Sequence, residues 1–272
     1  MEKSDQAFRE NSASNGGTTS FGYKEVKVEE KETLVGEVFK RVAGSYDIMN
    51  DVMSGGLHRL WKDRLIEVLR PAPGSLHLDV AGGTGDVAFR VLESMRLQEK
   101  SCLNVSGKGS VIVFDINAAM LDEGRKRASA RGIAQDSMQW IEGNAERLPF
   151  DDNSIDSYTI SFGLRNCTHI DVVLRDAYRV LKPGGRFLCM EFSHVHDPFL
   201  QQLYDIHSFH IIPAMGQAIA GDRESYQYLV ESIRKFPTQE KLSQMMASAG
   251  MRNVSYENLV GGVVAIHSGF KL

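Results

Sequence analysis

The sequence has little of several things, and each scarcity narrows what the protein is. Its three cysteines, Cys102, Cys167 and Cys189, form no CxxC pair and no metal-ligand spacing. They read as reduced core or near-core thiols of an intracellular protein, and no metal site is expected. No apolar run approaches the roughly 20 residues needed to span a bilayer. Ile211–Gly221 is apolar but too short, and a proline and glycines interrupt it. There is no basic excess: the net charge of −4 argues against a general nucleic-acid binder. Met1–Ser20 lacks both an apolar signal core and an Arg-rich, acid-poor amphipathic segment. It is polar, rich in Ser, Asn and Gly, and is expected to be disordered. No internal repeat is present.

What is there suits a soluble α/β protein. The chain has 272 residues, 42% of them apolar, enough for a sizeable core. Residues 1–32 read as a disordered, charged N-terminal segment. Residues 33–272 read as one domain with an N-terminal helical lid and a helical insertion around 198–234. Thr33 begins a helical pattern, followed by Tyr46–Ser54 and, after Gly55-Gly56, by Leu57–Leu69. Strands and helices then alternate, as in a parallel α/β sheet. Leu76–Val80, Val111–Phe114, Met138–Ile141, Ile155–Ile160 and Arg186–Glu191 read as strands. Asp86–Met95, Ala118–Arg131, Ile170–Leu181 and Glu240–Ala249 read as helices. The chain closes with two strand-like runs, Asn253–Asn258 and Gly262–Phe270. Gln98–Ser110 is a polar loop.

The first chemical signal is Leu76–Asp86, a buried strand running into glycines and then a helix. Asp79, Gly82, Gly83, Thr84 and Gly85 lie where a cofactor approaches backbone closely and a Cβ would collide. Gly83–Ala88 also satisfies G-x-G-x-x-A, so the loop alone admits NAD, S-adenosylmethionine or a ligand-free turn. The second signal is Asp115 at the end of the next strand, placed to accept from ribose hydroxyls, which serves both cofactors equally. It can also cap the following helix, as can Asn117. The third is Asn144-Ala145 after the third strand, where a polar side chain and a backbone amide suit an adenine edge. Leu181–Gly185 then turns a helix into a strand.

This ensemble resembles the class I S-adenosylmethionine-dependent methyltransferase fold, a Rossmann-like seven-stranded sheet whose last strand is antiparallel. Four further stretches narrow the resemblance: Phe39–Asn50, Ser54–Lys62, Ile160–Asn166 and Val263–Lys271. With Asp79–Asp86 they resemble the C-methyltransferases of ubiquinone and menaquinone biosynthesis, in the family's order from Thr33 to Leu272. Thr18–Glu30 and Gln98–Ser110 look more like the eukaryotic, mitochondrial members. The resemblance implies S-adenosylmethionine as cofactor, in contact with Thr84, Asp115, Asn144, Ala145 and Ser161. Many members carry Asp where this chain has Asn144; an amide oxygen still accepts, and the amide also donates.

The implied reaction methylates a ring carbon of a polyprenylated methoxy-benzoquinol. A phenolate-like ring is the better carbon nucleophile, so the enzyme must favour loss of a hydroxyl proton. Arg165, after the fourth strand, is the first candidate to stabilise the phenolate oxygen, directly or through a water; holding a surface loop or a helix end is its bland alternative. Asn166 can orient the same oxygen. Tyr46 and Asp47 can close over the site, or simply cap a helix and fill the core. His207 is a candidate proton relay, three residues from His210 and so near one helical face. Met49, Val52, Met53 and Leu57, with Ile211, Ile212, Met215 and Ile219, could line a groove for the tail, although such stripes are more often plain core. As partners, the resemblance implies the quinol, a membrane surface, and other ubiquinone-biosynthesis enzymes in a multi-subunit complex, and it admits a homodimer. It implies the matrix side of the mitochondrial inner membrane, or the cytoplasm for a bacterial chain. The rival readings are a methyltransferase for demethylmenaquinone or another phenol, an NAD-dependent oxidoreductase, and a non-catalytic cofactor-binding subunit.

Overall fold

The computed structural model describes residues 17–42, 46–101 and 107–272, with the side chains of residues 42, 46–49 and 220 outside that description. Seven strands form the central sheet: β3 (Leu76–Val80), β4 (Ser110–Asp115), β5 (Met138–Glu142), β6 (Ile155–Ser161), β7 (Leu181–Phe192), β8 (Arg252–Leu259) and β9 (Val264–Phe270). Their order is β5-β4-β3-β6-β7-β9-β8. Pairing is parallel from β5 to β7, and β9 runs antiparallel to both β7 and β8. This is the expected sheet. The strands at its centre are buried on both faces, as parallel strands covered by helices must be.

Two apolar cores sandwich the sheet. On one face Leu78, Val80, Phe114, Tyr158, Ile160 and Phe187 meet helices α6 (Ile170–Val180) and α10 (Gln239–Ser248). In α6, Val173, Leu174, Ala177 and Val180 recur with helical period and are all buried. On the other face Val111, Val113, Leu188 and Met190 meet α3 (Leu57–Leu69), α4 (Asp86–Ser101) and α5 (Ala118–Ala130). The helix after β3 runs to Ser101, well past the expected end at Met95. β7 begins at Leu181, five residues earlier than its expected start at Arg186. Lys182–Gly185 is looped out within it, so Ile155 pairs with Leu181 and Ser157 with Arg186.

Of the segment 1–32, expected to be disordered and charged, residues 1–16 lie outside the described residues, and the charged remainder is ordered from Thr18. β1 (Thr18–Phe21) and β2 (Lys24–Lys27) form an antiparallel hairpin, and α1 (Val28–Val42) starts before Thr33. The cause is tertiary. The Phe21 ring stacks on Tyr228 at 4.2 Å, and the Tyr23 amide donates to Glu231 at 2.9 Å. Both partners lie on α9 (Arg223–Lys235). In α1, Lys31, Val35 and Val38 form the buried stripe, and Glu29, Glu30, Lys40 and Arg41 complement the helix dipole.

Between the sheet and α9 lies a helical run made of α7 (Pro198–Ile206), a wide turn at His207–Ile211, α8 (Ile212–Met215) and a second wide turn at Gly216–Ala220. Asp197 caps its start by accepting from the Leu200 amide at 2.9 Å. With α1 and α2 (Tyr46–Ser54), this run stands over the carboxyl end of the parallel strands.

Candidate functional site

A cleft of about 690 Å³ opens at that carboxyl end, where ligands of open α/β sheets bind. Two strained backbone positions mark its floor: Ala81 (φ 51°) after β3 and Phe162 (φ 56°) after β6.

Most residues singled out in the sequence meet here. Asp79, Gly82, Gly83 and Thr84 line the β3 side, and Asp115 lines the β4 side. The Asp115 carboxylate ties the glycine loop to α5: Oδ2 accepts from the Gly83 amide and Oδ1 from the Asn117 amide, each at 2.8 Å. Burial pushes this carboxyl up, against those amides. Asn117, not Asp115, caps α5, accepting from the Met120 amide. A Cβ on Gly82 would sit 2.7 Å from Val113 Cγ1 and 2.9 Å from Asp79 Oδ2, so only glycine fits. Gly85 does not reach the cleft; with φ 83° it turns the chain into α4 against Trp140.

Asn144 and Ala145 line the far end. The Asn144 Oδ1 accepts from the Glu146 amide, and its Nδ2 donates to Glu32 on α1, both at 2.8 Å. Among the described residues two buried oxygens here, Asp79 Oδ2 and Ser161 Oγ, have no partner. Both residues line the cleft, so a ligand with a cationic or donor group there would satisfy groups that are costly to leave unpaired.

Arg165 and Asn166 form a short turn after β6 and line the same cleft. Arg165 Nη1 donates to Glu191 Oε1 at 2.8 Å and also to the Phe162 carbonyl. Its Nε is buried without a partner among the described residues. Arg165 is not a surface residue, its side chain being 7% exposed, and its bond to the Phe162 carbonyl also holds the turn in which it sits. Asn166 accepts from the Tyr228 hydroxyl at 3.1 Å. Tyr204 and His207 face the cleft from the helical run. Burial pushes the Tyr204 and Tyr228 hydroxyls up and the His207 imidazole down. His210 does not share His207's surroundings. The wide turn carries more residues per revolution than an α-helix, which rotates His210 away; it is exposed, whereas His207 is half-buried. Among the described residues no group of three or more metal-ligating side chains occurs. Tyr46 opens α2, and its side chain, with those of Asp47 and Met49, lies outside the described residues.

The expected tail stripe divides. Val52, Met53, Leu57 and Ile212 line the cleft. Met215 packs against the small core of Ile212, Tyr226 and Val230, while Ile211 and Ile219 are exposed. Sequence reasoning missed Glu191, Tyr204, Tyr228 and Lys62. Glu191 had a legible signal, an acid ending an apolar strand. Lys62 pairs with Asp86 at 2.7 Å at the cleft wall.

Comparison with known proteins agrees with this geometry. The model of the ubiE/COQ5 methyltransferase family matches residues 26–271. A 2-methoxy-6-polyprenyl-1,4-benzoquinol methylase, mitochondrial, from Oryza sativa subsp. japonica is 60% identical over 260 residues, covering 93% of this chain and 88% of its own. A ubiquinone/menaquinone biosynthesis C-methyltransferase UbiE from Brucella anthropi is 53% identical over 262 residues, covering 96% of this chain and 95% of its own. Among solved structures, an S-adenosylmethionine-dependent methyltransferase from Thermotoga maritima matches with TM-score 0.56 at 19% identity, covering 87% of this chain and 99% of its own. The [4+2]-cyclase SpnF matches with TM-score 0.59 at 17% identity, covering 87% and 95%. These two likenesses concern the fold alone.

Proposed function

Because the chain belongs to the ubiE/COQ5 methyltransferase family, we propose that its cleft is where a methyl group passes from S-adenosylmethionine to a ring carbon of a polyprenylated methoxy-benzoquinol. The chain is an S-adenosylmethionine-dependent C-methyltransferase of ubiquinone biosynthesis. The observation that carries the site reading is that one cleft holds both the glycine loop with Asp115 and the buried Arg165–Asn166 turn.

The residues present fit this cofactor. Asp115 offers acceptors for ribose hydroxyls while its carboxylate pins the glycine loop. Asn144 and Ala145 lie where an adenine edge would rest, with Glu32 steadying the Asn144 amide. Asp79 Oδ2 and Ser161 Oγ supply acceptors that lack a partner among the described residues. When bound, S-adenosylmethionine supplies an electrophilic methyl on a sulfonium.

The chain's own residues then have separable tasks. Arg165, held by Glu191, keeps a fixed positive charge at the cleft wall and stabilises the phenolate oxygen of the quinol. Arginine is too weak an acid to be the base itself. Asn166 orients that oxygen, and Tyr228 fixes the Asn166 amide by donating to its oxygen. His207, whose imidazole burial pushes down, is the residue we assign to take up a proton. The ring carbon takes the methyl, leaving S-adenosylhomocysteine; the hydroxyl proton goes to water, and His207 accepts the ring proton, which restores aromaticity. Val52, Met53 and Leu57 give the tail an apolar wall. Peripheral attachment to the membrane that dissolves such a tail is supported by Phe199, Leu203 and Ile206, which α7 leaves exposed. Among the described residues no helix is long and apolar enough to cross a membrane.

Calorimetry with S-adenosylmethionine, S-adenosylhomocysteine and NAD tests the cofactor reading. Binding of the first two and not of NAD is expected; binding of NAD alone contradicts it.

A further inference from the structure

The face of the sheet beneath α3 and α4 is apolar on β4 and β7, where Val111, Val113, Leu188 and Met190 point. On the two central strands it is not. His77 and Asp79 of β3, and Ser157 and Thr159 of β6, share that face by strand alternation, and all four are buried. Parallel register sets His77 opposite Ser157 and Asp79 opposite Thr159.

These side chains form one continuous row. Ser157 Oγ lies 2.8 Å from His77 Nδ1, and His77 Nε2 lies 2.9 Å from Thr159 Oγ1. Thr159 Oγ1 donates to Asp79 Oδ1 at 2.7 Å. At the end of the row, Asp79 Oδ2 is buried, on the cleft wall and without a partner among the described residues. A polar row in the middle of an apolar face is destabilising unless every member is satisfied, and here the one orphan is the atom at the cleft.

Proton counting fixes the direction. An ionised Asp79 can only accept, so Thr159 spends its single proton on Oδ1. Thr159 must then accept from His77, which places the ring proton on Nε2. Nδ1 is left to accept from Ser157. Every donor points toward the carboxylate, and the ring cannot relieve the arrangement by charging, because burial holds His77 down at about 3.

We propose that Ser157, His77 and Thr159 are a one-way hydrogen-bond row that orients Asp79, so that its free oxygen receives the cationic amino group of the cofactor's amino-acid end. The proposal rests on reading the cleft as the S-adenosylmethionine site. His77 and Thr159 are positioning residues; they touch Asp79 or each other, not the cofactor. Burial pushes the Asp79 carboxyl up to about 7, opposed by Thr159 and the Ala88 amide, and Asp115 and Asp86 add repulsion in the same sense as burial. Lys62 is engaged by Asp86. Losing the Thr159 donor therefore raises Asp79 further and moves cofactor binding to higher pH.

The test compares S-adenosylhomocysteine, which carries the amino group, with 5′-methylthioadenosine, which does not. Titrations run from pH 6 to 9 on the wild type, Thr159→Val, Thr159→Ser and Asp79→Asn. Thr159→Val should weaken S-adenosylhomocysteine about tenfold at pH 7, shift its pH dependence upward and leave 5′-methylthioadenosine unchanged. Thr159→Ser should restore the wild-type profile. In the wild-type complex, nitrogen NMR should find the His77 proton on Nε2. Equal losses for both ligands in Thr159→Val, or a His77 proton on Nδ1, overturn the row as a positioning device. If Asp79→Asn weakens S-adenosylhomocysteine and Thr159→Val does not, the row fails and the Asp79 contact stands. If Asp79→Asn leaves its affinity unchanged, the Asp79 contact itself is wrong. If the wild type binds neither ligand, the cofactor reading fails.

Discussion

Arg165 and Glu191 form a buried ion pair, with Nη1 2.8 Å from Oε1 and side chains 7% and 1% exposed. The two partners are not equivalent. Burial already pushes the Glu191 carboxyl up against the pull of Arg165, so an unpaired Glu191 can neutralise itself by taking a proton. Arg165 has no such escape.

The first prediction follows from that asymmetry. Glu191→Ala strands a buried guanidinium and should cost about 3–5 kcal/mol. Arg165→Ala should cost less, and its deficit should shrink as pH falls and Glu191 is protonated. Urea denaturation of both variants at pH 5 and 8 checks the order. In turnover, Arg165→Ala should lose about 100-fold, with affinity for S-adenosylhomocysteine near wild type.

Asp115 supplies the second. Its two oxygens hold the Gly83 and Asn117 amides, so Asp115→Ala removes the ribose acceptors and loosens the loop together. Loss of charged hydrogen bonds of this kind costs about 1.5–3 kcal/mol each. Calorimetry should therefore show S-adenosylhomocysteine bound at least about tenfold more weakly.

Gly82 supplies the third. An added Cβ meets Val113 Cγ1 at 2.7 Å, Asp79 Oδ2 at 2.9 Å and the Asp79 carbonyl at 3.0 Å. Gly82→Ala should destabilise by about 1–3 kcal/mol through overpacking. It should also weaken cofactor binding by displacing Asp79. A melting curve and a titration read the two effects separately.

The pH dependence of stability supplies the fourth. Asp79 is raised to about 7 from 3.8, so between those values the folded chain holds a proton that the unfolded chain lacks. Its contribution therefore grows as pH falls. His77 is lowered to about 3 from 6.5, so there the unfolded chain holds the extra proton, and stability falls with pH. Between about pH 4 and 6.5 the two slopes oppose, each at most about 1.4 kcal/mol per pH unit. Asp79→Asn removes one of them. Its unfolding free energy should decline on acidification through this window more steeply than that of the wild type.

The parallel part of the sheet was legible because short strands alternate with helices, each strand with a glycine or asparagine close to one end. The cofactor end was legible because Gly82, Asp115 and Asn144 follow strand ends directly. What escaped was everything set by distant packing. The hairpin at Thr18–Lys27 is anchored by Tyr228 and Glu231, more than 200 residues away. Glu191 gains its meaning only when β7 lies beside β6. His77 looked like any strand residue until register placed it between Ser157 and Thr159. His207 and His210 have α-helical spacing in sequence, but the backbone there winds more widely.

The most direct test follows an isotope-labelled methyl from S-adenosylmethionine onto a short-chain methoxy-benzoquinol, in the wild type and in Arg165→Ala. Label is expected on a ring carbon, with the rate falling about 100-fold in the variant. Label on a ring oxygen, no transfer by a wild type that binds both ligands, or undiminished turnover in the variant would contradict this reading.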